Sequence, residues 1–386
     1  TQFTYFGQAV ILLLIQVGGL GLVTLTTFFN IAVGRRLGFK SLRLASESIN
    51  LSDASQARAL LQFVMKVAFV FEAIGAALLA LVFVPQFGAD GIFISVFISI
   101  SSFCNAGFDI LGRVMPGGSV IPYQSNPYVL AVISLLIISG GLGFLVWQDL
   151  SAYHRTHHLR THTKLVLWIT GWLLLLGTAG ILFMEYNNPL TLGPMNLFDK
   201  ITNAAFQSVS ARTAGYNSIP LGDMTNFTKI FMSLLMFIGA APGGTGGGIK
   251  VTTLSVVLLA VASVVRGRDE AMIFGRRIDH KTVYKSLTIL MLSLFAVIAA
   301  SMTLFYNTGP ELNEVNSVFE AVSAFGTVGL SVGVTPLMNP FARVVTMLTM
   351  FIGRVGPVSL AISLSARKDS AAARRAVQPQ AHINVG

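Results

Sequence analysis

The chain has 386 residues, of which 53% are hydrophobic and only 11% charged, and its net charge is +10. Because a soluble domain carries about 25% charged residues, these proportions exclude a soluble fold of this size. The single cysteine excludes an internal disulfide and a cysteine-based metal cluster. The positive-inside rule of membrane proteins explains the positive charge better than a nucleic-acid surface does, so we expect no nucleic-acid partner.

The apolar residues form seven segments of the length that spans a bilayer as a helix, which is about 20 residues. They are 8–33, 60–84, 128–147, 164–184, 227–265, 281–306 and 340–365. Three shorter and more polar segments lie between them, at 91–104, 196–210 and 313–325. Because stretches of roughly 10–14 residues are too short to cross a bilayer, we predict three re-entrant helices in an all-α polytopic membrane protein.

Basic residues concentrate in alternate loops and in the C-terminal tail. They are Arg35, Arg36, Lys40, Arg43 and Arg58 in the first loop, Arg155, Arg160 and Lys164 in the second, Arg266, Arg268, Arg276, Arg277, Lys281 and Lys285 in the third, and Arg367, Lys368, Arg374 and Arg375 in the tail. The loops that carry the three short segments hold few. The positive-inside rule therefore predicts that the basic loops and the C-terminus are cytoplasmic, and that the short helices enter the membrane from outside.

The three short segments share one pattern. They read VFISISSFCNAGFD (96–109), AFQSVSARTAGYN (205–217) and VFEAVSAFGTVGLS (318–331), each with a Phe, a Ser four residues later and a Gly five or six residues after that. Repeats of this size predict pseudo-symmetry about a shared axis. We therefore expect four pseudo-fourfold repeats of helix, re-entrant pore helix, filter loop and helix around a central pore. Because the chain starts directly on an apolar segment, we expect the earlier parts of repeat one to precede residue 1.

These repeats divide the chain into five parts. The inner helix of repeat one and a cytoplasmic loop occupy residues 1–57, and repeat two, with its filter at 104–109, occupies 58–162. Repeat three occupies 163–280 and contains a filter at 212–217 and an intramembrane loop at 239–250. Repeat four, with its filter at 326–331, occupies 281–366, and a cytoplasmic tail follows at 367–386.

Each short segment leads into a glycine loop whose chemistry suits a monovalent cation. Such an ion loses water on entering a narrow pore, and backbone carbonyls replace that water in potassium channels. Glycine permits the dihedral angles that turn successive carbonyls toward a pore, and the C-terminal end of a short helix adds a negative dipole. The alternative is that these loops are only tight turns between pairs of helices.

The motifs CNAGFD, RTAGYN and GTVGLS resemble the filter loops of the Trk/Ktr/HKT superfamily of potassium transporters, most closely those of the membrane subunits of bacterial Ktr uptake systems. The stretches GQAVILLLIQVGGLG, GAAPGGTGGGIK and GRVGPVSL resemble the inner helices of repeats one, three and four in that family. The resemblance implies that K⁺ binds at the carbonyls of the filter residues, which are Asn105, Ala106, Gly107, Thr213, Ala214, Gly215, Thr327, Val328 and Gly329. Asp109 follows the glycine of its loop and is predicted to attract cations at the outer mouth, where the uncharged Asn217 occupies the matching position.

A filter with one glycine per repeat holds fewer rings of carbonyls than the TVGYG filter of potassium channels. We therefore expect a preference for potassium over sodium that is real but less strict than in those channels. Gly329→Ser is expected to lower that preference.

The segment 227–265 is interrupted by GAAPGGTGGGIK at 239–250. Pro242 removes a backbone donor, and each glycine costs a helix about 1 kcal/mol relative to alanine. The sequence therefore predicts two half-helices joined by a loop, and no comparable break is evident in the other inner segments. Three interpretations remain, which are a packing kink, a phosphate-binding loop and a gate beneath the filter. The phosphate-loop pattern requires Lys directly after Gly, whereas Ile249 separates Gly248 from Lys250.

We favour the gate, which matches the intramembrane loop of the family that the sequence resembles. Its predicted residues are Gly243, Gly244, Thr245, Gly246, Gly247, Gly248, Lys250 and Arg354. An arginine in an apolar segment is costly and is a functional candidate by default, so we expect Arg354 to bond carbonyls of the loop and to repel potassium. Shortening 243–248 or replacing Arg354 with alanine is expected to raise flux without abolishing selectivity.

The predicted function is a potassium-translocating subunit with a gated, channel-like pore, and not an enzyme, since the spans hold no paired carboxylates and no nucleophile with a base. A cation-coupled secondary transporter with broken helices is the second hypothesis. His154, His158 and His162 have a spacing that could bind a metal on a helix, but a solvated loop or a docking surface is the favoured interpretation.

The resemblance also implies partners. It implies a homodimer, surrounded by lipid in the bacterial inner membrane and docked on a KtrA-like cytosolic ring of nucleotide-binding RCK domains. Potassium would be the transported ion, no cofactor would be bound covalently, and nucleotide would bind only on the partner subunit. Sodium dependence is left open.

Overall fold

The computed structural model describes residues 3–21, 54–114, 116–268, 270–307 and 313–356. These residues contain twelve α-helices and one short β-hairpin. The helices are α1 (Tyr5–Leu20), α2 (Ala54–Phe87), α3 (Asp90–Phe103), α4 (Pro127–Gly141), α5 (Phe144–Thr156), α6 (Thr161–Glu185), α7 (Leu197–Ser210), α8 (Asn226–Phe237), α9 (Val251–Val265), α10 (His280–Asn307), α11 (Glu314–Gly326) and α12 (Pro340–Val355), and the hairpin strands are β1 (Met272–Ile273) and β2 (Arg276–Arg277).

Three helices of the described residues are single helices long and apolar enough to cross a membrane, namely α2, α6 and α10. They confirm the helices predicted at 60–84, 164–184 and 281–306. Large apolar side chains on their outer surfaces are exposed, for example Phe183 at 85% and Phe295 at 73%, which only a lipid environment makes favourable. The predicted segments 8–33 and 340–365 extend into 22–33 and 357–365, which lie outside the described residues, as do the basic residues from Arg35 to Arg43 and the tail at 367–386.

The three short helices form where the sequence predicted them, as α3, α7 and α11, each with 13 or 14 residues. Two of them begin at an asparagine cap, since Asn196 Oδ1 accepts from the Asp199 amide at 2.8 Å and Asn313 Oδ1 from the Val315 amide at 3.2 Å. Helices α3 and α11 each pack between the long helix before them and the shorter helix after them, whereas α7 packs against the long helix before it, α6, and against α4. Helix α8 also packs against α6. The described residues therefore contain three helix triplets in chain order, α2–α3–α4, α6–α7–α8 and α10–α11–α12.

The segment at 128–147, predicted as one span, is instead two helices, α4 and α5, which meet at an angle of 95°. The prediction that only 239–250 breaks an inner helix is therefore wrong. The break falls at Gly143, whose φ of 87° and ψ of 145° favour glycine. The backbone groups that the break leaves unpaired find partners in the loop at 238–250, described below, so the two breaks stabilise each other.

Glycines let the helix triplets pack at backbone distance. A Cβ atom on Gly140 of α4 would collide with the Phe103 carbonyl at the end of α3, and one on Gly353 of α12 would collide with the Phe325 carbonyl at the end of α11. Phe103 and Phe325 occupy matching positions, two residues after the aligned serines at 101 and 323. The same contact therefore recurs between the short and inner helices of two triplets.

Gly140→Ala is expected to destabilise the protein by about 3 kcal/mol or more, because a methyl group there meets rigid backbone rather than a side chain that can move. Thermal unfolding of the detergent-purified full-length protein, followed by size-exclusion chromatography, measures the effect. Gly171→Ala on α6 is the matched control, since nothing lies within 4 Å of its added Cβ. That control is expected to gain roughly 0.5–1 kcal/mol from helix propensity; similar midpoints for the two variants would contradict the packing argument.

Candidate functional site

The three glycine loops share an unusual backbone conformation. In each loop a residue with a side chain adopts a positive φ, and so does the glycine two positions later. These angles are 52° at Asn105, 68° at Thr213 and 50° at Thr327, and 71° at Gly107, 85° at Gly215 and 88° at Gly329. A positive φ is rare for a β-branched residue such as threonine, and strained residues of this kind persist where the surroundings hold them, often at functional sites.

The loop at Gly215 touches the other two glycine loops. A Cβ on Gly107 would collide with the Ala214 carbonyl oxygen, and a Cβ on Gly215 would collide with the Val328 carbonyl oxygen. The glycine of each of these two loops therefore lies against the carbonyl that precedes the glycine of the next loop. No other residue fits at Gly107 or Gly215 without displacing a backbone oxygen of a neighbouring repeat.

The aligned serines anchor the loops to the short helices. The amides of Ala106 and Val328 donate to the carbonyls of Ser101 and Ser323, both at 2.8 Å, and the Ala214 amide donates to Ser210 at 3.1 Å. The Ser101 hydroxyl also donates to the Phe108 carbonyl at 2.7 Å, and the Ser210 hydroxyl donates in the same way to the Tyr216 carbonyl. In these two loops the carbonyl after the glycine is thus already paired.

The carbonyls before and at the glycines are not paired. Within the described part of the chain, none of the nine carbonyl oxygens of Asn105–Gly107, Thr213–Gly215 and Thr327–Gly329 accepts a hydrogen bond. Backbone carbonyls at membrane depth need a partner, and water or a cation is the partner available in a cavity. Nine such oxygens lie on three loops, of which the loop at Gly215 touches the other two, and backbone oxygens of this kind can replace the water of a weakly hydrated cation.

The predicted break in the segment 227–265 is confirmed. Helix α8 ends at Phe237 and α9 begins at Val251. The two ends of the intervening loop are held together by a parallel bridge between Ile238 and Ile249 and by a 2.8 Å hydrogen bond from the Gly239 amide to the Ile249 carbonyl. We call residues 238–250 the intramembrane loop.

The intramembrane loop lies directly against the three glycine loops. A Cβ on Gly246 would collide with the Thr213 hydroxyl, and a Cβ on Gly247 would collide with the Thr327 hydroxyl. The Thr245 hydroxyl donates to the Phe103 carbonyl at 3.0 Å. The side-chain amide of Asn105 lies 3.3 Å from Thr213 Oγ1, so these groups are contiguous. Gly246 and Gly247 are therefore required by close approach to the glycine loops as well as by the break itself.

The broken helix α4 supplies the rest of the support for this loop. The amides of Ala241 and Thr245 donate to the carbonyls of Gly141 and Gly140 at 3.0 and 3.2 Å, and the Phe144 amide donates to the Gly243 carbonyl at 3.1 Å. These bonds satisfy groups that an unbroken helix through Gly143 would have paired internally. The end of α4 thus packs along the intramembrane loop and pairs with its backbone.

Two cationic side chains bond carbonyls of the intramembrane loop. Arg354, on α12, donates through Nη1 to the Thr245 carbonyl at 2.5 Å and through Nη2 to the Gly18 carbonyl of α1 at 2.6 Å. Lys250 Nζ donates to the Gly246 carbonyl at 2.7 Å. Arg354 therefore links α12 and α1 to the centre of the intramembrane loop.

The residues predicted for the outer mouth have local partners. Asp109 Oδ1 accepts from the Leu111 amide at 3.1 Å, and burial raises the pKa of this carboxyl. Asn217 contributes its backbone, with its amide bonded to the Ser119 hydroxyl and its carbonyl to the Val120 amide. Next to the glycines, Gly107, Gly329 and Glu320 line a cavity of about 390 Å³. An outer-mouth role of Asp109 and Asn217 stays a prediction.

The histidines between α5 and α6 do not share a helix face. Helix α5 ends at Thr156, the next residue has a φ of 52°, and α6 begins only at Thr161. His154, His158 and His162 therefore lie on two helices and the turn between them. Across the residues that the structure describes, no three His, Cys, Asp or Glu side chains are grouped so that they could hold a metal ion.

The sequence did carry a signal for the break in α4. The motif GGLG occurs at 18–21 and again at 140–143, and GRVG occurs at 353–356. The last glycine of each motif has nearly the same backbone angles, with φ of 85° at Gly21, 87° at Gly143 and 91° at Gly356. Alignment of the inner segments with one another, rather than of the glycine loops alone, would have predicted that several inner helices end or bend at this point.

Comparison with known proteins places these features in one family. The TrkH family, described as a cation transport protein, matches residues 1–375. The chain is 38% identical to the potassium/sodium uptake protein NtpJ of Enterococcus hirae, over 95% of this chain and 81% of that protein, and 38% identical to the Ktr system potassium uptake protein B of Bacillus subtilis, over 96% and 82%. Among solved structures, the potassium transporter TrkH from Vibrio parahaemolyticus aligns with a TM-score of 0.66 at 16% identity, over 93% of this chain and 72% of that one, which supports the fold. The resemblance to Ktr-type membrane subunits is thereby confirmed.

Proposed function

Because the chain belongs to the TrkH family of cation transport proteins, we propose that it is the potassium-translocating subunit of an uptake system, with a gated, channel-like pore. Its relatives are named as uptake proteins for potassium or for potassium and sodium, and not as enzymes. The observation that carries the proposal is the set of nine unpaired carbonyls on the three glycine loops. A Cβ at Gly107 or Gly215 would collide with a backbone oxygen of the neighbouring loop, which supports a filter in which backbone oxygens are the ligands of the ion.

The filter is proposed to consist of Asn105–Gly107, Thr213–Gly215 and Thr327–Gly329, with the matching loop of repeat one as the fourth wall. Serine hydroxyls already occupy the carbonyls after Gly107 and Gly215. The stack of carbonyls available to an ion is therefore short. A short stack supports a preference for potassium that is weaker than in channels with the longer filter.

The gate is proposed to be the intramembrane loop. It lies against Thr213 and Thr327 of two glycine loops, so an ion that left the filter on that side would meet the intramembrane loop. Arg354 and Lys250 hold its carbonyls and add positive charge, which raises the energy of a cation in the same space. Displacement of the loop would remove the steric barrier and, with Lys250, part of the electrostatic barrier.

We further propose the assembly that the Ktr relatives suggest. The subunit would form a homodimer in the bacterial inner membrane and dock its basic cytoplasmic loops on a nucleotide-binding regulatory ring. Nucleotide would bind only to that partner, and the C-terminus would be cytoplasmic.

A second candidate, cation-coupled secondary transport, is favoured by one observation. Two inner helices are broken at membrane depth, at 142–143 and at 238–250, and paired discontinuous helices are typical of secondary transporters. Flux that saturates and depends on a sodium gradient would support this candidate, whereas flux driven by the membrane potential alone would support the pore.

The full-length protein, expressed with its regulatory partner in bacteria that lack their own potassium uptake, is expected to restore growth at low potassium and rubidium uptake. Uptake should follow the membrane potential and be inhibited far less by sodium than by potassium. The same cells with the empty vector are the control. Absence of rubidium uptake from protein that is correctly inserted with its partner would overturn the proposed function.

A further inference from the structure

Tyr216 connects two of the glycine loops through its side chain. It directly follows Gly215, it is fully buried, and its hydroxyl donates to the Phe108 carbonyl at 3.0 Å. Phe108 directly follows Gly107 in the neighbouring loop. A residue of one filter loop is therefore hydrogen-bonded to the backbone of the next.

The oxygen that Tyr216 bonds is held from two directions. The Ser101 hydroxyl, at the end of α3, donates to the same Phe108 carbonyl at 2.7 Å. On the other side of Gly107, the Ala106 amide is fixed to the Ser101 carbonyl. Gly107, the most freely rotating residue of the loop, thus lies between two anchored neighbours, and the tyrosine hydroxyl is one of the anchors.

The matching residues in the other two loops cannot make this bond. The residue after the glycine is Phe108, Tyr216 or Leu330, and only the tyrosine has a hydroxyl. Leu330 is 2% exposed and packs in an apolar cluster with Ile219 and Leu221, so the seam between the loops at Gly215 and Gly329 is held by apolar contact. The contact between the loops at Gly107 and Gly215 contains, in addition, the hydrogen bond from the Tyr216 hydroxyl to the Phe108 carbonyl.

We propose that Tyr216 is a positioning residue that determines ion selectivity by fixing the orientation of the carbonyls around Gly107. The inference rests on the proposed function, since it assigns a role within the proposed filter. With the hydroxyl present, the Phe108 carbonyl is turned away from the ion path and the loop around Gly107 keeps one conformation. Without the hydroxyl, the backbone at Gly107 can rotate more freely, and the unpaired carbonyls of this loop adapt to a smaller ion such as sodium.

Tyr216→Phe isolates the hydroxyl, because the ring keeps the same packing. We expect the preference for rubidium over sodium, measured as sodium inhibition of rubidium uptake by the full-length protein with its partner, to fall roughly two- to tenfold, the factor that corresponds to one neutral hydrogen bond. Maximal rubidium uptake per inserted protein should change less than twofold.

Tyr123→Phe is the matched control. Tyr123 is also buried, and its hydroxyl donates to Gln86 Oε1 at 2.7 Å, away from the glycine loops. It is expected to lower the thermal midpoint as much as Tyr216→Phe while leaving the ion preference at its wild-type value. A merely structural role of Tyr216 predicts the same outcome for both variants.

Two results separate the failure of this inference from the failure of the proposed function. If wild-type protein discriminates rubidium from sodium and Tyr216→Phe discriminates equally well, the inference is overturned and the proposed function stands. If wild-type protein transports neither ion, both are overturned. Should Tyr216→Phe not reach the membrane, Ser101→Ala removes the other donor to the same carbonyl, and an unchanged preference in that variant would equally overturn the inference.

Discussion

Replacement of Gly215 with alanine is expected to lower the preference for potassium over sodium by at least about tenfold. Two effects combine at this position. The φ of 85° strains any residue with a Cβ, and the added Cβ would collide with the Val328 carbonyl, one of the nine unpaired oxygens. Displacing that oxygen removes a ligand from potassium, and loss of about 1.4 kcal/mol of differential binding corresponds to the tenfold change. Sodium inhibition of rubidium uptake measures it.

The three filter glycines should not respond equally. Gly107→Ala displaces the Ala214 carbonyl and is expected to match Gly215→Ala, whereas the nearest described atom to a Cβ on Gly329 is the Gly215 Cα at 3.6 Å. Gly329→Ser is therefore expected to lower the preference less, through backbone strain at its φ of 88°.

Gly117→Ala is the control for backbone strain without a filter contact. Its φ is 73°, and nothing lies within 4 Å of the added Cβ. It should lose stability and keep the wild-type ion preference. If Gly117→Ala and Gly215→Ala lowered the preference for potassium over sodium equally, a specific role of the contact between Gly215 and the Val328 carbonyl would be contradicted.

The sequence predicted the short helices well because two independent signals coincide there. The segments are too short and too polar to span, and each leads through an aligned serine into a glycine. Helices α3, α7 and α11 lie within a few residues of the predicted bounds. The break at 239–250 was predictable for a similar reason, since Pro242 and repeated glycines all act against a helix.

The break in α4 was not predicted, because locally it depends on a single residue, Gly143. The GGLG stretch at 140–143 contains no proline and reads as a small-residue packing surface in an apolar helix. What favours the bend is tertiary. The carbonyls of Gly140 and Gly141 bond the intramembrane loop, which is about 100 residues away in sequence. Local propensity cannot report a partner at that distance.

The unpaired carbonyls and the hydrogen bond of Tyr216 could not be predicted either, because they depend on which groups meet in the fold. Sequence indicated which residues line the loops but not which of their oxygens are already taken. That depends on the Ser101 and Ser210 hydroxyls, which the alignment identified only as a repeated feature. In the sequence Tyr216 aligns with Phe108 and Leu330, and that alignment carries no sign that its hydroxyl bonds the Phe108 carbonyl.

Arg354→Ala is expected to raise potassium flux on the order of tenfold. The guanidinium makes charge-assisted hydrogen bonds to the carbonyls of Thr245 and Gly18, and bonds to charged groups contribute roughly 1.5–3 kcal/mol each. These bonds hold the loop in the position proposed to block the pore, so their loss shifts the gate toward open. A tenfold rise corresponds to a shift of about 1.4 kcal/mol, which is slightly less than one such bond and well within the two. Rubidium uptake per inserted protein, with and without the regulatory partner, measures the shift. Arg343→Ala, on the exposed surface of the same helix, is the control and should not change flux.

Shortening the intramembrane loop across 243–248 should raise flux as well, but the structure separates its effect on selectivity from that of Arg354. The arginine bonds the loop and α1, and neither bond involves a residue of the three glycine loops. Gly246 and Gly247, by contrast, pack directly on Thr213 and Thr327, and Thr245 bonds the Phe103 carbonyl below the first glycine loop. A shortened loop withdraws that support from residues held at strained φ angles. We therefore expect Arg354→Ala to retain the wild-type ion preference and the shortened loop to lose part of it. Loss of flux in correctly inserted Arg354→Ala would mean that the arginine holds the pathway open rather than shut.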